Sequence, residues 1–208
     1  MNLKYYYWYF QSAIPPKICD DILEYGQSLE KQTAITGGHK ERNRPPTEEE
    51  LKNIQKKRKS DVVWMSDNWI YREIHPFIHQ ANASAGWNFQ WDFTEACQFT
   101  EYKKGQYYDW HCDSNELPYD IPDDANKHGK TRKLSMTLCL TEQDEYDGGE
   151  LEFAFHDFDG NKQPRICEEI KQKGSIIVFP SFVWHRVKPV TRGIRHSLVC
   201  WNLGQPYV

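Results

Sequence analysis

His111 and Asp113 stand one residue apart in Tyr107-Tyr108-Asp109-Trp110-His111-Cys112-Asp113, a spacing that can hold a metal ion. Along an extended strand, alternate side chains share a face. The imidazole and the carboxylate would therefore point one way and Cys112 the other. Two ligands on one face leave the far side of an ion open, so a third must come from elsewhere. His185, in Phe179-Pro180-Ser181-Phe182-Val183-Trp184-His185, is the best candidate. Two histidines and one carboxylate make the facial triad of non-haem Fe(II) oxygenases, which keeps coordination positions free. The pair alone does not establish such a site, because His-x-Asp also arises by chance in a chain with 8 histidines.

A second chemical feature lies in Gly193-Ile194-Arg195-His196-Ser197-Leu198-Val199-Cys200-Trp201, which reads as a strand. Alternation puts Arg195, Ser197, Val199 and Trp201 on one face. A lone charge buried among Val and Trp is costly, so a carboxylate must meet Arg195. Its planar fork suits bidentate pairing. The pattern leaves open whether that carboxylate belongs to the protein or to a ligand.

These residues need a scaffold. Residues 4–14 read as a strand, and Pro15-Pro16 opens a helix over 16–31 with Ile18, Ile22, Leu23 and Leu29 on one face. Residues 33–46, with Gly37-Gly38 and Pro45-Pro46, read as an exposed loop. Thr47 and Glu50 form a capping box for a short helix ending in Lys56-Lys57-Arg58-Lys59, whose cations suit a helix C-terminus better than a nucleic-acid site. A strand at 61–65 and a helix over 68–84 follow, with Ile70, Ile74, Phe77, Ile78 and Ala81 inward and Pro76 expected to kink or restart it. His75 and His79 lie four apart on that helix, but no carboxylate base motif accompanies them.

From residue 87 the chain reads as short strands at 87–93, 96–102, 106–112, 133–140, 150–155, 165–168, 175–179, 185–190 and 195–203. Turns at Asp147-Gly148-Gly149 and Asp157-Phe158-Asp159-Gly160 punctuate them. Helices followed by about eight strands imply an α+β fold: a double-stranded β-helix, or cupin-like jelly roll, with N-terminal helical support. The expected organisation is one domain, 1–86 helical and 87–208 catalytic. Residues 114–131, directly after the His-x-Asp pair, read as a mobile loop over the site mouth. His128, His156 and His196 are expected at the surface or facing out of strands, and Cys112 and Cys200 to serve packing.

The 208 residues suit one core, and 8 Trp, 12 Tyr and 10 Phe favour strands. A net charge of -4 gives no pull toward nucleic acid or anionic lipid. The absence of a long apolar run argues against a membrane span. The aromatic first ten residues lack a cleavage site, so a cytoplasmic location is expected, with reduced cysteines. By the same token Asn82-Ala83-Ser84 would not be glycosylated.

The ordered motifs Tyr102-x-x-Gly105-x-x-Tyr108-x-x-His111-x-Asp113, Arg132-Lys133-Leu134-Ser135, Gly148-Gly149-Glu150-Leu151-x-Phe153, Gly174-Ser175-x-x-x-Phe179-Pro180 and His185-x-Val187-x-Pro189-Val190-Thr191-x-Gly193-x-Arg195-x-Ser197-x-x-x-Trp201 resemble the prolyl 4-hydroxylase family of Fe(II)/2-oxoglutarate dioxygenases. The likeness covers residues 97–203 closely, and Arg58-x-Ser60 less specifically. It implies that His111, Asp113 and His185 ligate Fe(II) and that Arg195 binds the distal carboxylate of 2-oxoglutarate. Tyr102, Thr137, Cys139 and Ser197 would flank the co-substrate, and Tyr108 and Trp201 the substrate. Cys139 stands where other members place a tyrosine, so that hydroxyl contact does not carry over. Trp110 should face away from the metal. Gly148-Gly149 is assigned only a turn.

The resemblance implies hydroxylation of a C–H bond, with O2 and 2-oxoglutarate consumed, succinate and CO2 released, and L-ascorbate as reductant. Proline in a peptide or protein is the expected substrate. A free amino acid or nucleobase is the alternative, and a zinc hydrolase or cupin-like binding module using the same ligands is a third. Asp113 argues against a halogenase, which needs that ligand position open for halide.

Overall fold

The computed structural model describes residues 3–34, 47–155 and 164–207. Strand β1 (Trp8–Phe10) leads into α1 (Pro16–Ser28) and the two-residue β2 (Gln32–Thr33). Helix α2 (Glu48–Lys57) runs directly into β3 (Arg58–Lys59), then β4 (Asp61–Met65) and α3 (Asn68–Ser84). The strand-rich part comprises β5 (Phe93–Thr94), β6 (Cys97–Lys103), β7 (Tyr107–His111), β8 (Thr131–Cys139), β9 (Tyr146–Gly148), β10 (Leu151–Ala154) and β11 (Arg165–Ile166). It closes with β12 (Ile176–Pro180), β13 (Trp184–Val187) and β14 (Val190–Gly204). Two antiparallel sheets result. The larger runs β1-β12-β8-β14-β6-β4-β2, with β5 and β9 also on β14, and the smaller runs β11-β10-β13-β7-β3.

The larger sheet is buried on both faces, and alternation sorts its side chains between two cores. Leu134, Met136 and Leu138 of β8, Ile176 and Val178 of β12, and Leu198 and Cys200 of β14 pack with Ile22 of α1 and Ile70, Ile74 and Ile78 of α3. Each such buried aliphatic chain contributes roughly 1.5–3 kcal/mol. The intervening residues Cys139, Ile177, Phe179 and Val190 face the smaller sheet and meet Leu151, Phe153 and Val187. Every polar residue on that inner face therefore projects into the space between the sheets.

Local signals explain the helices. Pro16 occupies the first turn of α1. The Thr47 hydroxyl accepts from the Glu50 N–H at 3.3 Å, and the Glu50 carboxylate accepts from the Thr47 N–H at 2.8 Å, so the capping box is complete. Helix α3 continues through Pro76. No helix among the described residues is long and apolar enough to cross a membrane.

Several expectations need correction. The strand expected over 4–14 is confined to β1, because Ser12 adopts φ 47° and turns the chain toward α1. Only Phe93 of the expected 87–93 strand pairs. The rest forms no ladder: the Trp87 and Asn88 N–H groups donate to the Asn82 carbonyl, the Asn82 side chain bonds both the carbonyl and the N–H of Phe89, and the Trp87 indole donates to the Tyr5 carbonyl. Strand β11 is short and gives way to a 3-10 turn at Glu168–Ile170. The short strands β2 and β9 were not foreseen. The 114–131 segment folds back on itself, with Tyr119 N–H donating to Lys130 and Gly129 N–H to Tyr119, and is tied down by Lys130–Asp92 at 2.7 Å. The Gly37-Gly38 and Pro45-Pro46 loop, the turn at 157–160 and His156 lie outside the described residues.

His196, expected to face outward, is 6 % exposed. Both faces of β14 are covered, so an outward residue there is buried. Its Nε2 lies 3.1 Å from Glu101, whose carboxylate also meets Lys31 at 2.7 Å and Lys103 at 3.1 Å. Burial alone would raise the Glu101 carboxyl, but these hydrogen bonds draw it down to about 2. Its contribution to stability is thus complete above the ordinary carboxylate range and is lost as pH falls toward 2. Glu101→Gln should destabilise the fold by about 2 kcal/mol at neutral pH, since it leaves a buried network short of its anion. Denaturant melts should show the gap between wild type and variant closing as pH drops from 4.5 toward 2; a gap independent of pH would refute this account.

Candidate metal centre and its cleft

His111 ends β7 and His185 lies on β13 as its direct cross-strand partner, so the two imidazoles stand side by side with ring centroids 4.1 Å apart. Asp113 lies just past the end of β7. Its N–H and that of Ser114 both donate to the Ser181 carbonyl, at 2.8 and 2.9 Å, and this hook swings the carboxylate over the histidines. Asp113 Oδ1 is 3.8 Å from His111 Nε2, and Oδ2 is 3.6 Å from His185 Nε2. These separations are too long for hydrogen bonds. They suit donors gathered around one first-row ion with bonds near ~2.1 Å.

The histidine tautomers are set by backbone. His111 Nδ1 lies 2.8 Å from the Asp109 carbonyl and His185 Nδ1 lies 3.0 Å from the Val183 carbonyl. A carbonyl only accepts, so each Nδ1 carries the proton and each Nε2 turns a lone pair inward. Tyr108 stacks on His111 at 3.4 Å, and Phe179 meets His185 edge-on at 4.7 Å. Burial, with His185 alongside, pushes the His111 imidazole well below its usual range and keeps it neutral. Burial would raise the Asp113 carboxyl, yet Arg132 and a hydrogen bond from the Ser135 hydroxyl favour its ionised form. The Ser135 hydroxyl donates to Asp113 Oδ2 at 2.7 Å and sits 2.9 Å from Ser181 Oγ. Two neutral imidazoles and one ionised carboxylate are a donor set that fits Fe(II).

A cleft leads from the triad between the sheets, lined by Tyr102, Tyr108, Thr137, Arg195, Ser197 and Trp201 among others. Arg195 is 2 % exposed, and its Nη1 donates to Ser197 Oγ at 3.3 Å. No carboxylate among the described residues pairs with it. Tyr102 lies under the guanidinium with its ring centre 5.7 Å away. Cys139 sits a layer deeper than the cleft wall, its Sγ toward the carbonyls of Thr141 and Lys171. Trp110 faces outward, beneath Arg186 at 4.7 Å. Cys200 is a core residue, and Cys112 is half-buried beside the Ser114 carbonyl.

Arg58, Arg132 and Ser135, quoted in the motifs without a role of their own, also stand here beside Trp201. Arg58 lies 4.5 Å over the Tyr108 ring, donates to Ser60 at 2.9 Å and lies 3.4 Å from Gln98 Oε1, while its buried Nη2 has no partner. The Trp201 indole N–H is likewise buried without an acceptor. Arg132 stacks on Trp201 at 4.0 Å and pairs with Glu95 at 2.6 Å. For Ser135 a signal existed, since period-two spacing on β8 puts it on the same face as Thr137.

A model of the 2OG-Fe(II) oxygenase superfamily matches residues 97–202. A PKHD-type hydroxylase of Xylella fastidiosa (strain M23) is 33% identical over 104 residues, 50% of this chain and 42% of that protein. Another from Synechococcus sp. (strain CC9902) is 37% identical over 97 residues, 47% of this chain and 36% of its own length. The matched stretch thus takes in less than half of these relatives. Among solved structures, a Pseudomonas putida prolyl-4-hydroxylase has a TM-score of 0.67 at 19% identity, covering 96% of this chain and 93% of its own. A viral collagen prolyl hydroxylase from Paramecium Bursaria Chlorella virus-1 has a TM-score of 0.63 at 18% identity, covering 97% of each chain. At these identities the likeness shows the shared fold, a double-stranded β-helix.

If Ser135 holds Asp113 in its ligating orientation, Ser135→Ala should weaken metal binding about 10- to 100-fold, the usual effect of removing a group that orients a ligand. Titration with Mn(II) followed by electron paramagnetic resonance would measure it, and unchanged affinity would remove Ser135 from the metal site.

Proposed function

This chain belongs to the 2OG-Fe(II) oxygenase superfamily, and from that premise we propose that it is an Fe(II)- and 2-oxoglutarate-dependent dioxygenase that hydroxylates proline in a peptide or protein. The carrying observation is a His-Asp-His cluster and, in the same cleft, a buried guanidinium that pairs with no carboxylate among the described residues. The strand pairings β1–β12, β3–β7 and β4–β6 support residues 1–86 and 87–208 acting as one catalytic domain.

In this reading His111, Asp113 and His185 hold the ion and leave its cleft side open. Two neutral ligands and one anion cancel only part of a divalent charge, so attraction remains for an anionic co-substrate. Arg195 takes the distal carboxylate of 2-oxoglutarate, Ser197 orients the guanidinium, and Tyr102 and Thr137 form the walls; Cys139 supports them from behind. Ferrous iron, when bound, supplies the redox chemistry by which O2 converts 2-oxoglutarate to succinate and CO2 and oxidises the substrate C–H to an alcohol. Tyr108 and Trp201 border the substrate. The orphan N–H groups of Arg58 and Trp201 suit a substrate rich in carbonyl acceptors, as a peptide is. The PKHD-type hydroxylases among the sequence relatives support hydroxylation, and the prolyl hydroxylases among the fold neighbours prompt the choice of proline. A zinc hydrolase would have no use for Arg195.

The Fe(II) and 2-oxoglutarate chelate should give a weak visible charge-transfer band under anaerobic conditions, lost in Arg195→Ala. No band in wild type, with tight and productive zinc binding instead, would end the oxygenase reading. His111→Ala should yield no succinate. Proline-containing peptides incubated with Fe(II), 2-oxoglutarate and ascorbate should gain one oxygen atom by mass spectrometry. Oxygen gain by a free amino acid alone would replace the peptide assignment.

A further inference from the structure

Strand β8 carries a bulge. Asn202 of β14 faces Leu134, and the next residue, Leu203, faces Arg132, so Lys133 has no partner in that ladder. A bulge re-aims side chains. Arg132 turns onto Trp201, while Lys133 enters an aromatic corner built by Tyr207 and Phe89. Its ammonium lies 3.4 Å from the Tyr207 ring centre and 5.9 Å from that of Phe89, and it donates to the Gln205 carbonyl at 2.7 Å. Lys133 is 4 % exposed and pairs with no carboxylate among the described residues. A buried ammonium is costly, and here ring faces and one carbonyl stand in for an anion.

The bulge also frees the Lys133 carbonyl. It accepts from the Ser181 N–H at 3.0 Å and from the Tyr207 hydroxyl at 3.3 Å, which fills both lone pairs. The Tyr207 ring meets Phe182, the residue after Ser181, edge-on at 5.7 Å. Ser181 is fully buried, and its own carbonyl takes the N–H groups of Asp113 and Ser114. Its hydroxyl lies 2.9 Å from that of Ser135, which donates to Asp113 Oδ2. The ammonium thus holds the segment after β14, Tyr207 holds the Ser181 turn, and that turn holds Asp113. A residue that only filled the corner would need neither the ammonium nor the hydroxyl.

We propose that Lys133 and Tyr207 are positioning residues for the metal centre: gripping one another, they fix the Ser181 turn that sets the Asp113 carboxylate. The inference rests on His111, Asp113 and His185 being the metal site. Neither Lys133 nor Tyr207 lines the cleft, so ligand geometry is governed in part from a corner outside it.

Mn(II) titration of the full chain, read by electron paramagnetic resonance, tests this, with thermal melts in parallel. Lys133→Met keeps the buried stem, and Tyr207→Phe keeps the ring. Each should weaken Mn(II) binding about fivefold, the worth of one hydrogen bond, and should alter the zero-field splitting of the bound ion, which reports ligand geometry. Lys133→Met combined with Ser135→Ala should cost less than the product of the two single losses, because both act through Asp113. Glu101→Gln, in a separate network, should lower the melting temperature with Mn(II) affinity and splitting unchanged. The inference is overturned if Lys133→Met and Tyr207→Phe melt lower while affinity and spectrum stay as in wild type, if they change nothing, or if Glu101→Gln loses as much affinity as they do. Those outcomes leave the metal site standing. Should wild type bind no Mn(II), the metal-site reading itself falls and this inference with it.

Discussion

A guanidinium enclosed between two β-sheets and paired with no carboxylate among the described residues is the constraint around which this molecule is arranged. Taking a charge out of water costs several kcal/mol even after relaxation, and a protein counter-ion is the ordinary remedy. Arg195 is met among the described residues by the Ser197 hydroxyl. Asp113 is likewise supported by Ser135 and flanked by imidazoles. Opposite charges are thus held apart along one cleft, each oriented in part by a serine hydroxyl that does not cancel it. Such an arrangement favours a cation near the carboxylate and an anion near the guanidinium, both together.

The two sheets divide this work. The smaller carries the histidines as a cross-strand pair, so their separation follows from the spacing of adjacent strands. The larger carries Ser135, Thr137, Arg195, Ser197 and Trp201, all on its inner face. The side chains between them, Ile177, Phe179, Leu151 and Phe153, set the distance between sheets. On the opposite face, the isoleucines of α3 hold the larger sheet in its curve. Close packing of this kind transmits small displacements, so ligand geometry depends on apolar residues that touch no ligand.

Much of this was legible in the residues. The His-x-Asp spacing, the inward run Arg195-x-Ser197-x-Val199-x-Trp201 and the bounds of α3 follow from periodicity alone. What escaped had physical reasons. His196 looked outward because alternation assigns a face, while burial of that face depends on helices remote in the chain. The 87–93 stretch has strand-forming residues, but Asn82 and the indole of Trp87 satisfy its backbone surroundings differently. Strand β9 and Tyr146 lie in a polar, glycine-bearing stretch whose pairing is decided by β14, not by local pattern. Asp113 was placed on the strand with His111. It reaches the same point through a turn anchored on Ser181, so agreement in the ligand set concealed a different route.

Strand β14 spans 15 residues and carries the buried guanidinium of Arg195, the Ser197 hydroxyl and the Trp201 indole at alternate positions. One residue inserted or deleted between 195 and 201 would rotate part of that row by half a turn, sending it toward α1 and α3 and bringing leucine or cysteine into the cleft. Lineages carrying this architecture can exchange side chains along the strand one at a time. Changes of length must instead accumulate in its flanking loops, which ties the evolutionary freedom of the chain to segments outside the row.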